Sequence, residues 1–319
     1  MNRIRRCMLS VLTLVLSGAA LAQSGADPSR LPLPGAVQLQ VRGHALAVRC
    51  VGAGSPTVVL LTGQGVPAVS WAAAPPAELQ PEVMLHPPFG ARQPVQPAVA
   101  GAARVCVYDR PGLGSSGPLK DASPRSIGDA VGDLHALLAA LSPDAPVVLA
   151  GHSVGGLIAF EYTRAHPGRV AGLVLIDATH PDERSRLSWL FPANEAAEDR
   201  TIARHPEHLD ARPATSQGVN AVPPGVFGDL PLVVLTRTQG LTAAELPPVG
   251  PGPSPKSLGR WRRDLWTMAA EYASASSVGT LMTAGASGHF IGFDQPDLVV
   301  TAIDQVLRDA RARTNGAAR

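Results

Sequence analysis

Aromatic residues are scarce: Phe, Trp and Tyr make up 4% of the 319 residues. The core must therefore be built from Val, Leu, Ala and Ile, which carry much of the 45% hydrophobic fraction. Cysteine is rarer still, with Cys7, Cys50 and Cys106 the complete set. No His, Cys and Asp cluster has the spacing of metal ligands, so no metal and no cofactor is expected. Charged residues are only 16%, yet the hydrophobic fraction is too high for a disordered chain. No segment after the first twenty-odd residues is long and apolar enough to cross a bilayer.

Gly and Pro, in contrast, are abundant at 32 and 31 residues, which signals many turns and irregular loops. The chain opens with Arg3, Arg5 and Arg6, then an apolar run from Cys7 to Gly18, then Ala20-Leu21-Ala22. That is the order of a cleaved export signal over residues 1–22, with a mature start near Gln23. Loss of its three arginines takes the formal net charge from +2 to −1. The basic surplus belongs to the leader, so nucleic acid is not an expected partner. A periplasmic or extracellular location follows, with no integral membrane association after cleavage. Such a compartment permits disulfides.

Residues 23–35 read as a loose lead-in, 36–312 as one domain and 313–319 as a flexible tail. Ala36–Val41 and His44–Val51 alternate apolar and polar residues around Arg42-Gly43, the pattern of a hairpin. Thr57–Leu61, Arg104–Asp109, Pro146–Ala150, Arg169–Asp177, Leu230–Thr236 and Val278–Ala284 are short apolar runs of buried-strand type. Helices are expected over Ser126–Leu141, Gly156–Tyr162, Leu258–Ser274 and Leu298–Ala310. Residues 72–101 are interrupted by Pro75, Pro76, Pro81, Pro87, Pro88, Pro94 and Pro97 and read as a surface insertion; Ala73–Leu79 could keep one helix. Alternating strands and helices after a hairpin give a mostly parallel sheet with helices on both faces. Ligands bind such sheets beyond the C-terminal strand ends.

The most informative stretch is Gly151-His152-Ser153-Val154-Gly155, between the apolar run ending at Ala150 and a helix that Pro167-Gly168 terminates. A Ser flanked by glycines at a strand-to-helix corner is a nucleophile elbow. The helix N-terminus favours negative charge developing beside it. This segment resembles the α/β-hydrolase family, and further stretches extend the resemblance. Arg110-Pro111-Gly112-Leu113-Gly114-Ser115-Ser116 is similar to the family's Asp-x-x-Gly-x-Gly-x-Ser turn after Asp109. Ser287-Gly288-His289-Phe290 with Asp294-Gln295-Pro296 is similar to its histidine loop. The resemblance implies an α/β-hydrolase fold: a mostly parallel eight-stranded sheet with helices on both faces and a small helical cap, here residues 182–228. Leu187, Trp189, Leu190 and Phe191 would be the underside of that cap or its packing face.

A Ser hydroxyl needs a base to become a nucleophile. His289 is the one histidine placed after the last strand, as the order Ser, acid, His requires. His152 reads as packing or a pocket wall, and His180 could line the pocket. The resemblance puts the oxyanion donors at the backbone N–H groups of Val154 and of Gln64, in Thr62-Gly63-Gln64-Gly65. Thr62 stands where the family usually has His, which leaves the support of that loop open. The acid is less determined. The family's usual position, after Leu230–Thr236, offers only Glu245. Its alternative position, after the preceding strand, holds Asp177. Asp177 is the first choice, Glu245 the alternative, with Asp182 and Asp264 also open. The resemblance further implies that the strands bearing Cys50 and Cys106 are antiparallel neighbours, allowing a Cys50–Cys106 disulfide. The expected activity is hydrolysis of a small-molecule ester. A proline-iminopeptidase-like activity, another amide or carbon–carbon bond hydrolase, and a hydrolase-fold binding protein without catalysis are the alternatives. Ser rather than Asp at the elbow argues against dehalogenase and epoxide hydrolase chemistry. The oligomeric state is not legible.

Overall fold

The computed structural model describes residues 27–73, 94–190, 194–240 and 254–317. The expected leader, most of the Pro-rich stretch, Phe191 and Glu245 lie outside the described residues. The strands are β1 (Val37–Val41), β2 (His44–Val51), β3 (Val58–Leu61), β4 (Val105–Tyr108), β5 (Arg125–Ser126), β6 (Val147–His152), β7 (Val170–Ile176), β8 (Leu209–Asp210), β9 (Leu232–Arg237) and β10 (Thr280–Ala284). Eight of them form one sheet in the order β1-β2-β4-β3-β6-β7-β9-β10. The β1–β2 and β2–β4 pairs are antiparallel and the rest are parallel.

The expected hairpin forms with Arg42 and Gly43 as its two-residue turn, at φ 48° and 83°. Both positive values are what a turn matching strand twist requires. The central strands are apolar on both faces because both are covered. On β3, β6 and β7, alternate residues divide between two cores. Val59, Leu61, Leu149, Leu173 and Leu175 meet the helices Ile127–Leu141 and Val154–Ala165 on one side. Val58, Leu60, Val148, Ala150, Val174 and Ile176 share the other side with Trp71 and the C-terminal helix residues Val299, Ile303 and Val306. The helix Ile127–Leu141 starts on a capping box in which Ser126 and Asp129 satisfy each other's backbone.

Cys50 and Cys106 are register partners across β2 and β4 and form a disulfide, Cα to Cα 4.1 Å. Among the described residues no helix is long and apolar enough to span a membrane.

Three expectations need correction. The end of the 72–101 stretch is not surface insertion: Val95–Val99 is a helix with Val95 and Val99 in the core, and Gln96 donates to Arg49 O and Val105 O. Pro94 caps this helix and Pro97 lies in its first turn, where a missing N–H costs little. The C-terminal helix does not stop at Ala310 and leave a tail from 313. It runs Pro296–Ala317, because Arg311 binds Ser55 O and Ala102 O and Arg313 binds Asp229. The cap region is less helical than expected. Beyond Glu183–Arg186 and Glu195–Arg204 it is mostly turns, with the two-residue ladder β5–β8 tying it to the chain before Ile127. Prolines 206, 213, 223 and 224 break the helical pattern there. Leu187, Trp189 and Leu190 pack with Trp261, Leu265 and Met268 of the helix Pro255–Ser274.

Candidate active site

At the end of β6 the chain reverses through Ser153, whose φ of 54° and ψ of −126° are strained for a residue with a side chain. The flanking glycines are there for clearance. A Cβ on Gly151 would lie 2.4 Å from Gly155 O, and one on Gly155 would lie 2.5 Å from Thr62 O. The strained turn is pinned to the neighbouring strand: Ser153 N–H donates to Ile176 O at 3.1 Å, and Thr179 N–H donates to Ser153 O at 3.0 Å. Val154 is the first helical residue, so its N–H has no acceptor within the helix.

One strand over, Asp177 follows β7 at φ 41°. Its Oδ2 lies 2.6 Å from His289 Nδ1 and 3.2 Å from Arg237 Nε, and its Oδ1 accepts from the Arg237 backbone N–H at 3.3 Å. Burial alone would raise the Asp177 carboxyl pKa, but the Arg237 guanidinium and His289 outweigh it and hold the group below the ordinary carboxylate range. Arg237 ends β9 and its guanidinium lies 4.8 Å from the Trp261 ring centroid.

His289 sits between β10 and the short helix Ile291–Asp294. Asp294 Oδ2 accepts from Ser287 Oγ at 2.9 Å and Gly288 N–H at 3.0 Å, and Gln295 Oε1 accepts from Ala286 N–H, so the loop is closed on itself. His152 Nε2 is 2.8 Å from His289 O, which makes it the N–H donor. Burial and the adjacent His289 push the His152 pKa down to about 3, so its ring is neutral and serves as a brace for the His289 backbone.

Ser153, Asp177 and His289 line a single cavity of about 300 Å³. Its apolar wall includes Leu187, Trp261, Leu265, Met268 and Tyr272, so Leu187 faces the cavity as well as the packing cluster. A second cavity of about 310 Å³ lies on the cap side of Gln64, and Glu183 and Leu187 border both. Burial raises the Glu183 carboxyl pKa, and Glu183 Oε2 accepts from His180 N–H at 3.1 Å. Gln64 stands beside the elbow, since a Cβ on the preceding Gly63 would come within 3.3 Å of Ser153 Cβ. Its side chain donates to Leu209 O at 2.7 Å, leaving its backbone N–H as the candidate donor.

The other candidate acids are committed elsewhere. Asp182 accepts from Arg186 Nε at 2.9 Å, and Asp264 accepts from Trp189 Nε1 at 3.2 Å. Glu245 lies outside the described residues. His180 is buried against Tyr272 rather than lining the cavity. Among the described residues no group of three His, Cys, Asp or Glu could hold a metal ion. Sequence reasoning missed Arg237, Glu183 and the support of the Gln64 loop. Arg237 directly follows the strand that carries the family's usual acid position, and that placement was the available signal.

Residues 83–211 match the family described as alpha/beta hydrolase fold. Lipase LipV of Mycobacterium tuberculosis is 35% identical over 124 residues, 34% of this chain and 47% of that protein. A 2-hydroxy-6-oxononadienedioate/2-hydroxy-6-oxononatrienedioate hydrolase of Cupriavidus pinatubonensis is 35% identical over 126 residues, 39% of this chain and 37% of that protein. The chain thus spans less than half the length of the curated relatives it matches. The solved structure of a thermophilic esterase from Thermogutta terrifontis superposes with a TM-score of 0.54 at 20% identity, covering 86% of this chain and 98% of that one. Sheet order, the strand-to-helix corner at Ser153 and the match over residues 83–211 agree on an alpha/beta hydrolase fold.

Proposed function

We propose that this chain is an exported serine hydrolase that cleaves a small-molecule carboxylic ester through an acyl-enzyme intermediate. One observation carries the reading: the 2.6 Å Asp177–His289 pair opens on the same cavity as the strained Ser153. His289 takes the Ser153 proton as the hydroxyl attacks the ester carbonyl. Asp177, kept ionised by Arg237, holds the imidazole tautomer and stabilises its cation. The N–H groups of Val154 and Gln64 hold the oxyanion. The leaving alcohol departs with the proton from His289. Water, deprotonated by the same base, then releases the acid.

An ester is favoured over an amide or carbon–carbon bond by the apolar side of the cavity formed by Leu187, Trp261, Leu265 and Met268, and by the resemblance to a protein named a lipase. Ser at the elbow sets the chain apart from hydrolases that attack through Asp. The leader at residues 1–22 and the Cys50–Cys106 disulfide support export to an oxidising compartment.

The test is covalent labelling. A fluorophosphonate probe is expected to modify the unaltered chain, and S153A is expected to lose both the label and the turnover of p-nitrophenyl esters. An unlabelled, inactive wild type would favour a hydrolase-fold binding protein instead.

A further inference from the structure

An oxyanion donor is useful only when it is held in place before the reaction. The loop Thr62–Gly65 lacks the family's usual His, and the structure shows what holds it instead. Arg110, just after β4, lies in a buried fork against Glu207 of the cap: Nε to Oε2 is 2.6 Å and Nη2 to Oε1 is 3.1 Å. Their side chains are 3% and 1% exposed. The same guanidinium donates from Nη1 to Thr62 O at 2.8 Å and from Nη2 to Gly63 O at 2.7 Å. Glu207 Oε1 accepts from Gly65 N–H at 2.5 Å. The cation therefore grips the two carbonyls before Gln64, and the anion grips the amide after it.

The contact to Gly63 O matters most. That carbonyl and the Gln64 N–H belong to one planar trans peptide and point in opposite directions. Fixing the carbonyl on Arg110 fixes where the Gln64 N–H aims. A charged donor on the carbonyl also polarises the peptide and strengthens its N–H as a donor. The cap segment is seated tightly for this task. A Cβ on Gly112 would come within 2.1 Å of Pro206 O, and one on Gly65 within 2.6 Å of His205 Nδ1. Leu209 O takes the Gln64 side chain.

Resting on the serine-hydrolase reading, we infer that Arg110 and Glu207 are positioning residues that aim the Gln64 N–H at the oxyanion, so that the cap segment 205–209 completes the hole. Breaking one partner alone would leave a buried charge and confuse stability with positioning. The test is therefore the double variant R110M/E207M, which removes both charges together. Its kcat for a p-nitrophenyl ester is expected to fall about 100-fold with KM little changed. Affinity for a trifluoromethyl ketone, which forms an oxyanion on Ser153, is expected to fall by the same factor. Cooperative unfolding with wild-type kcat and ketone affinity would overturn the inference. Should the double variant not fold, R110K decides. Lysine keeps the charge but cannot reach Glu207 and both carbonyls, so kcat is expected to fall with KM unchanged; wild-type kcat in R110K overturns the inference. Fluorophosphonate labelling of the unaltered chain separates the two readings. If it labels and the variants turn over normally, only the positioning role falls. If it does not label, the hydrolase reading falls.

Discussion

Ser153 is held at a positive φ that costs on the order of 1–3 kcal/mol, and glycine clearance plus backbone hydrogen bonds to Ile176 and Thr179 maintain it. Such local strain is legible in sequence, because a Gly-x-Ser-x-Gly run between a strand and a helix marks a corner too tight for larger flanking residues. His289 is legible for a similar reason: its loop closes on Asp294 and Gln295, a few residues away. Asp177 was only partly legible. What distinguishes it is Arg237, sixty residues later, and no local pattern signals a contact of that span. The geometry makes D177N a sharp test. Asparagine removes the charge and can present an amide N–H to Nδ1, favouring the wrong imidazole tautomer, so kcat is expected to drop about 10³–10⁴-fold. KM and circular dichroism should hold. Steady-state kinetics beside a folded-state spectrum reads this out, and near-wild-type kcat would remove Asp177 from the site.

Among the elements, strands were read better than short helices. A fully buried strand such as β3 or β6 is a continuous apolar run with nothing to confuse it. The single turns Val69–Ala72 and Ile291–Asp294 are too short to show a period. Val95–Val99 was hidden because its prolines occupy the cap and first turn, where they are harmless. The antiparallel β2–β4 ladder adds a covalent tie, Cys50–Cys106, closing a separation of 56 residues. Loop-closure entropy makes that tie worth on the order of 4 kcal/mol against the unfolded chain. Reduction with a phosphine under native conditions should lower the thermal midpoint by on the order of 10 °C. Scanning calorimetry with and without reductant checks it, and an unchanged midpoint would mean the ladder alone holds these strands.

Across the whole molecule, one sheet with a core on each face brings its strand ends to one rim, and the alternation of strands and helices was enough to anticipate that layout. The cap was not, because its conformation rests on partners far along the chain: Arg184 on Glu198, Arg212 on Asp199, Glu207 on Arg110. The global fold also imposes a pH dependence. His152 and His180 are both buried, and burial pushes the pKa of each down to about 3, with His289 adding to the effect on His152 and Arg186 on His180. His180 Nε2 is 3.4 Å from Glu271, yet burial and Arg186 keep the ring neutral. In the unfolded chain both would protonate near pH 6.5. Between those values the unfolded state binds more protons, so stability falls as pH drops from about 6.5 towards about 3. Asp177, held below its ordinary pKa, adds a loss of the same sign below about pH 4. Glu183, whose carboxyl pKa burial raises, acts with the opposite sign, so the histidine contribution is read by difference. The fall of the thermal midpoint across this range should be shallower in H180N than in the unaltered chain, and equal slopes would contradict neutral burial of that ring.

Locating the fluorophosphonate adduct by peptide mass spectrometry probes the joint arrangement of Ser153, His289 and Asp177 most directly. The adduct is expected on the peptide containing Gly151–Gly155, at Ser153 alone, with labelling slowed strongly in H289A. No adduct, or one at another serine that persists in S153A, would contradict it.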